Sequence, residues 1–170
     1  MTSKLNTLWY AVYVKSRAEK KVALEFDYEG VSYYLPLAKR LKQWSDRKKW
    51  VEEPLFRSYI FVNIEQKDYY KVLQVPGTVK YITFEGHAVP IPETQINAIK
   101  YYLEENDPEN LDDSKWQKGI KIEIISGSMT GLKGELIEVR GKKTVKVEIE
   151  AIGSTLLIHV PKSKLKILKT

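Results

Sequence analysis

The segment Lys39-Arg40-Leu41-Lys42-Gln43-Trp44-Ser45-Asp46-Arg47-Lys48-Lys49-Trp50 gathers six basic side chains, one acidic side chain and two tryptophans. Lysine and arginine gain free energy by displacing counterions from phosphates, and an indole ring can stack on an unpaired base. Lys39, Arg40, Lys42, Trp44, Arg47, Lys48, Lys49 and Trp50 are therefore a candidate nucleic-acid surface. The competing reading is a solvated hairpin whose tryptophans pack back onto a sheet. A second concentration of chemistry is aromatic: Trp9, Tyr10, Tyr13, Tyr33, Tyr34, Phe56, Tyr59, Phe61, Tyr69, Tyr70, Tyr81 and Phe84. That is more ring surface than one small core readily encloses, and tyrosine suits half-wet contacts, so part of the set is expected to form a partner-binding patch. Trp9 and Phe61, inside dense apolar runs, are expected in the core.

Catalytic chemistry has little to work with. The two histidines, His87 and His159, fall in different parts of the chain, and there is no cysteine to serve as nucleophile, thiolate ligand or disulfide. Gly127-Ser128-Met129-Thr130-Gly131-Leu132-Lys133-Gly134 lacks the G-x-x-x-x-G-K-[ST] spacing and leads into a strand pattern, so no helix dipole would stand behind a bound phosphate. Gly131 and Gly134 are read instead as turn and bend positions. No enzyme activity, metal or cofactor is expected.

The elements that must position these residues follow from composition and period. Of 170 residues, 43% are hydrophobic and 29% charged, with a net charge of +6, which suits a folded chain of one or two small domains. Residues 1–105 carry 16 basic and 13 acidic side chains, 106–116 carry one and four, and 117–170 carry 11 and five. The acidic, turn-rich stretch at 106–116 is read as a linker between a domain at 1–105 and a domain at 117–170. The apolar run Leu8–Val14 is too short to span a bilayer, and an intracellular, cytoplasmic protein with no membrane association is expected.

In the first block, Trp9–Val14 is apolar on both faces and predicts a central strand. Ser16-Arg17-Ala18-Glu19 has the form of a capping box, followed by a helix with Ala18, Val22 and Phe26 on one face and Gly30 as its left-handed stop. Strands are expected over Val31–Leu37, Leu55–Ile64 and Val79–Phe84, with helices over Asp68–Val75 and from Pro92, the last turning Ile96, Ile99 and Leu103 inward. In the second block the period becomes two: Ile120, Ile122 and Ile124, then Val145, Val147 and Ile149, then Leu156, Ile158 and Val160 alternate with polar residues. The fold class is α+β: an amino-terminal α/β sandwich with a largely antiparallel sheet, then a small carboxy-terminal β-barrel of about five short strands.

The order of landmarks resembles the NusG family of transcription elongation factors over nearly the whole chain. The matching residues are Trp9-Tyr10, Glu19-Lys20-Lys21-Val22, Pro54-Leu55-Phe56-Arg57-Ser58-Tyr59-Ile60-Phe61-Val62 and Val75-Pro76-Gly77-Thr78-Val79. Lys118–Ile122 followed by Ser126–Val139 is similar to the KOW motif, with Gly131 and Gly134 in its turn. The resemblance implies a polymerase-binding domain at 1–105 and a KOW barrel at 117–170. Phe56 and Tyr59 would contact the clamp helices of the polymerase β′ subunit, with Val89, Pro90 and Ile91 beside them. Lys15, Arg17, Lys21 and the basic segment would face upstream or non-template DNA.

Three departures refine the resemblance. The family's usual F-P-G-Y reads Phe56-Arg57-Ser58-Tyr59, as in a specialised branch resembling RfaH or the antiterminators of capsular polysaccharide operons. The usual I-F-G-R barrel tip reads Ala151-Ile152-Gly153-Ser154, which does not carry Rho recruitment over. The threonine-rich gate-loop contact of RfaH is absent, with Tyr69-Tyr70-Lys71 nearby. The expected function is elongation or antitermination at particular operons, such as surface polysaccharide genes, by a monomer that suppresses pausing or termination, with a ribosomal protein or nascent RNA as a further partner of the barrel. The alternative is a KOW-type RNA-binding translation or ribosome-associated protein.

Overall fold

The computed structural model describes residues 6–104, 117–139, 142–149, 153–160 and 164–168. The chain divides into two compact units, Met1–Ile91 and Pro92–Thr170, each with its own antiparallel sheet. The amino-terminal unit runs β1 (Leu8–Val14), α1 (Glu19–Glu29), β2 (Tyr33–Tyr34), β3 (Leu37–Gln43), β4 (Lys48–Pro54), β5 (Tyr59–Ile64), a 3-10 turn at Gln66–Asp68 leading into α2 (Tyr69–Gln74), β6 (Thr78–Tyr81), β7 (Thr83–Phe84), β8 (His87–Ala88) and β9 (Pro90–Ile91). Strand β1 is central, as its two apolar faces require: β5 pairs along one edge, and β6 and β9 share the other.

Strand alternation sorts the side chains of this sheet. Tyr10, Val12 and Val14 of β1 and Ile60, Val62 and Ile64 of β5 join Val22, Ala23 and Phe26 of α1 and Val72 of α2 in one buried cluster. Each such side chain contributes roughly 1.5–3 kcal/mol by leaving water. The residues between them, Trp9, Ala11 and Tyr13 with Tyr59, Phe61 and Asn63, consequently point to the other face, where β1 and β5 place them opposite one another.

Several local expectations are corrected. The capping box does not form: Ala18 occupies the cap of α1 with no side-chain hydrogen bond, and the Glu19 carboxylate turns away from the helix start to the Ser58 amide. Gly30 does end the helix in the left-handed conformation, at φ 67°. The strand expected over Val31–Leu37 divides: Tyr33 and Tyr34 pair with β5, while Leu37 already belongs to β3, opposite Pro54; Pro36, which has no N–H to donate, separates the two. Phe56 to Ser58 form a turn, so β5 starts at Tyr59 rather than at Leu55.

In the second unit, α3 (Glu93–Leu103) follows Pro92 and buries Ile96, Ala98 and Ile99. The sheet holds β10 (Lys121–Ile124), β11 (Lys133–Val139), β12 (Lys142–Ile149), β13 (Ser154–His159) and β14 (Leu165–Ile167) in the order β13-β12-β11-β10-β14. Helix α3 lies against β12 and β13, and Asn97 Nδ2 donates to the Ser128 carbonyl at 2.7 Å. Ile122, Ile124, Leu136, Leu156, Ile158 and Val160 are buried, as period-two alternation requires. The linker read at 106–116 and positions 151–152 of the barrel tip lie outside the described residues. Among the described residues no helix is long and apolar enough to cross a membrane.

Candidate functional site

Three turns meet at one end of the amino-terminal sheet. Each closes with a backbone bond from its fourth residue to its first: Ala18 N to Lys15 O at 3.0 Å, Tyr59 N to Phe56 O at 3.4 Å and Thr78 N to Val75 O at 3.1 Å. In each the third residue has a positive φ, 62° at Arg17, 64° at Ser58 and 93° at Gly77, while the second does not. That combination is the type II turn, which favours proline second and glycine third. Pro76-Gly77 meets the preference, whereas Arg57-Ser58 and Ser16-Arg17 do not. The turns are tied together by Val14 N to Ser58 O at 2.8 Å and Lys15 N to Gly77 O at 2.9 Å, and by Ser58 N to Glu19 Oε1 at 2.8 Å.

An L-residue in the left-handed region costs about 1–2 kcal/mol, partly offset in glycine by its larger chain entropy when unfolded. Ser58→Gly is therefore expected to stabilise the amino-terminal unit by about 0.5–1 kcal/mol. A urea titration checks it, and an unchanged or lowered midpoint would contradict the strain assigned to Ser58.

The Phe56–Tyr59 turn adjoins a row of rings on the sheet face opposite α1 and α2. Phe61 is fully buried, and Phe56 meets it edge-on at 5.8 Å while Tyr34 stacks at 6.5 Å. Tyr13 and Tyr59, cross-strand partners, meet edge-on at 5.6 Å. Trp9, Tyr13, Tyr34, Phe56 and Tyr59 are half-buried. Phe56 and Tyr59 are thus neither sealed nor isolated: they retain accessible ring surface beside a fixed aromatic floor, the form of a contact site with polar handles. Phe61 occupies the core as expected; Trp9 is only partly enclosed. Val89 is half-buried and Pro90 exposed, while Ile91, cross-strand partner of Trp9, is buried.

The charged segment forms the β3–β4 hairpin, closed by Trp44 N to Arg47 O at 2.8 Å. Register places Leu41 opposite Trp50 and Lys39 opposite Glu52 on one face, with Arg40 opposite Val51 and Lys42 opposite Lys49 on the other. The tryptophans do not pack back onto the sheet: Trp50 is 66% and Trp44 45% exposed. The Arg47 guanidinium lies 5.9 Å above the Trp44 ring. Two like charges directly across a ladder repel; here Lys42 is partly compensated by an ion pair with Glu53, and its ammonium holds the Glu53 carboxyl below the usual carboxylate range. Lys20 Nζ donates to Glu52 O at 2.8 Å, fastening the hairpin to α1. Lys15, Arg17 and Lys21 are exposed around the first turn and the start of α1.

The remaining candidates separate. Gly131 takes φ 90° in the turn before β11, and Gly134 lies within β11 opposite Ile122. His87 is exposed on β8 and His159 half-buried on β13, in different units. A groove of about 800 Å³, lined by Ala23, Leu24, Tyr33, Leu35 and Leu37 among others, runs beside α1. Sequence reasoning missed it; the only signal was Leu24, an apolar residue off the buried stripe of its helix.

Residues 7–100 match the family model described as "NusG: Transcription termination factor nusG". No curated protein matches. Among solved structures, one described as "Domain interaction in Thermotoga maritima NusG" is 23% identical, covers 96% of this chain and 98% of its own, and superposes with a TM-score of 0.56, a likeness of fold. Another, described as "MjSpt4:Spt5 complex conformation B", is 20% identical over 96% of this chain and 98% of its own, at a TM-score of 0.32.

Proposed function

From the premise that this chain belongs to the NusG family of transcription factors, we propose that it binds the clamp helices of the RNA polymerase β′ subunit through Phe56 and Tyr59. In this reading residues 1–105 engage the polymerase, 106–116 link, and 117–170 form a KOW barrel open to a ribosomal protein or nascent RNA. The observation that carries it is the row of half-buried rings around sealed Phe61. A pair of helices laid on that row would desolvate ring faces already held in place, so little rotamer entropy remains to be lost. Val89 and Pro90 flank the row. A clamp held closed favours elongation over pausing by the difference in affinity for the two conformations, and no covalent step is needed. The non-glycine turn at Arg57-Ser58 supports a specialised antiterminator acting in the cytoplasm at particular operons, such as those for surface polysaccharides, over a housekeeping factor. Transcription in vitro with purified polymerase, on templates with and without a candidate leader, tests it. Longer read-through on the leader template is expected; identical pausing on every template would reject antitermination.

The exposed hairpin and Lys15, Arg17 and Lys21 would lie along DNA, with phosphate contacts setting position rather than sequence. Replacing Arg40, Lys42 and Lys49 together by alanine is expected to lower the slope of log K against log salt by about 2–3, since each lost phosphate contact removes roughly 0.7–0.9. Fluorescence anisotropy with a labelled oligonucleotide reads this directly. An unchanged slope would remove the hairpin from the interface.

A further inference from the structure

We infer that Glu19 is a positioning residue whose buried carboxylate selects the type II form of the Phe56–Tyr59 turn, an inference that rests on the polymerase-contact reading of that turn. At 6% exposure it is the one buried charged side chain among the described residues. A carboxylate taken out of water needs a donor. That donor is the Ser58 amide, 39 residues along the chain, at 2.8 Å.

Type I and type II turns differ by rotation of the peptide joining their second and third residues. In this turn that peptide joins Arg57 to Ser58, and its N–H is the group Glu19 accepts. With serine in third place the backbone alone favours type I, where φ is negative; the observed φ of 64° runs against that preference. Rotation of the peptide would aim its carbonyl toward the Glu19 oxygen and leave the carboxylate buried without a donor. The acceptor therefore decides the turn, and the turn decides how Phe56 and Tyr59 leave the backbone. A glycine at position 58 would reach the same geometry without help, which makes Glu19 and Ser58 a linked pair.

The test compares Glu19→Gln, Glu19→Ala, Ser58→Gly and Glu19→Ala/Ser58→Gly in the full chain. Nuclear Overhauser effects report the turn without polymerase: a strong Arg57 Hα to Ser58 H–N signal marks type II and a weak one type I. Glu19→Ala is expected to weaken that signal, to speed Ser58 amide exchange about tenfold or more, and to lower affinity for purified RNA polymerase core enzyme by about tenfold, the usual scale for a buried donor or acceptor losing its partner. Glu19→Gln, which keeps an acceptor oxygen, should retain most of both. The double variant should recover the type II signal and the affinity, which a merely space-filling glutamate would not explain. A folded Glu19→Ala protein with an unchanged turn, or a double variant that stays in type I, would overturn the inference. If Glu19→Ala does not fold, Glu19→Asp, too short to reach the amide, takes its place. Should the natural chain fail to bind polymerase, the contact reading falls while the Overhauser comparison still judges Glu19.

Discussion

Phe56→Ala and Tyr59→Ala should each weaken binding to RNA polymerase core enzyme by about 30-fold or more, the loss expected when an aromatic anchor at the centre of an interface is truncated. Each removes a ring that stands on another: Phe56 lies 5.8 Å from Phe61 and Tyr59 lies 5.6 Å from Tyr13. The two rings bracket one four-residue turn, so the double variant should lose less than the two single losses combined. Tyr59→Phe separates the roles of ring and hydroxyl, and it should keep most of the affinity if the ring face makes the contact. Both alanine variants are expected to remain folded, since these side chains are only half-buried. Binding measured by interferometry on immobilised polymerase decides the matter. Folded variants that bind as the natural chain does would remove this face from consideration, and an RNA-binding role for the barrel would then gain ground.

Gly77→Ala should cost about 3 kcal/mol of stability. Two costs act together. The backbone sits at φ 93°, where an L-residue is strained by roughly 1–2 kcal/mol. A Cβ placed there would also stand 2.6 Å from Val22 Cγ2, inside the contact distance of two carbon atoms, in a core where overpacking costs about 1–3 kcal/mol. Val22 is itself fully buried, so it has little room to yield. Measured against Val22→Ala alone, Gly77→Ala should cost only the backbone part, a split readable by urea unfolding. A loss of unfolding free energy of less than about 1 kcal/mol for Gly77→Ala would mean that the turn relaxes around the methyl group. The Lys15 amide bond to the Gly77 carbonyl carries any such relaxation toward the basic turn at Lys15–Ala18.

Much of the fold was legible because its signals are local. The two-sided apolar run at Trp9–Val14 could only be a central strand, and β1 is paired on both edges. Gly30 after an amphipathic stretch marked a helix end, and Pro76-Gly77 marked a turn. The alternation in Ile122–Ile124 and Leu156–Val160 separated a second, all-strand sheet from the first. The misreadings were local patterns overruled by distant partners. Ser16 and Glu19 have the spacing of a capping box, but the Glu19 oxygen is held by Ser58 instead. Pro36 divided what looked like one strand into β2 and β3.

The site was legible by residue type and illegible by arrangement. Aromatic excess in the first block pointed to rings left partly open to solvent without saying which they would be, because Phe61 and Tyr59 are both aromatic and differ only in what packs beside them. Tryptophans in a basic segment left open whether they would fold back or stand in solvent; the register and exposure of Trp50 come from the completed hairpin.

Sequence by itself determined the fold class, the central strand and the helices of the first block, the basic and aromatic character of the two surfaces and the family, since period, turn chemistry and charge are properties of neighbouring residues. Tertiary structure alone decided that three turns meet at one end of the sheet, that Glu19 answers to Ser58, and that a methyl group at Gly77 would strike Val22. Those facts depend on atoms far apart along the chain being brought within a few ångströms, and on the competition among partners that only then becomes possible.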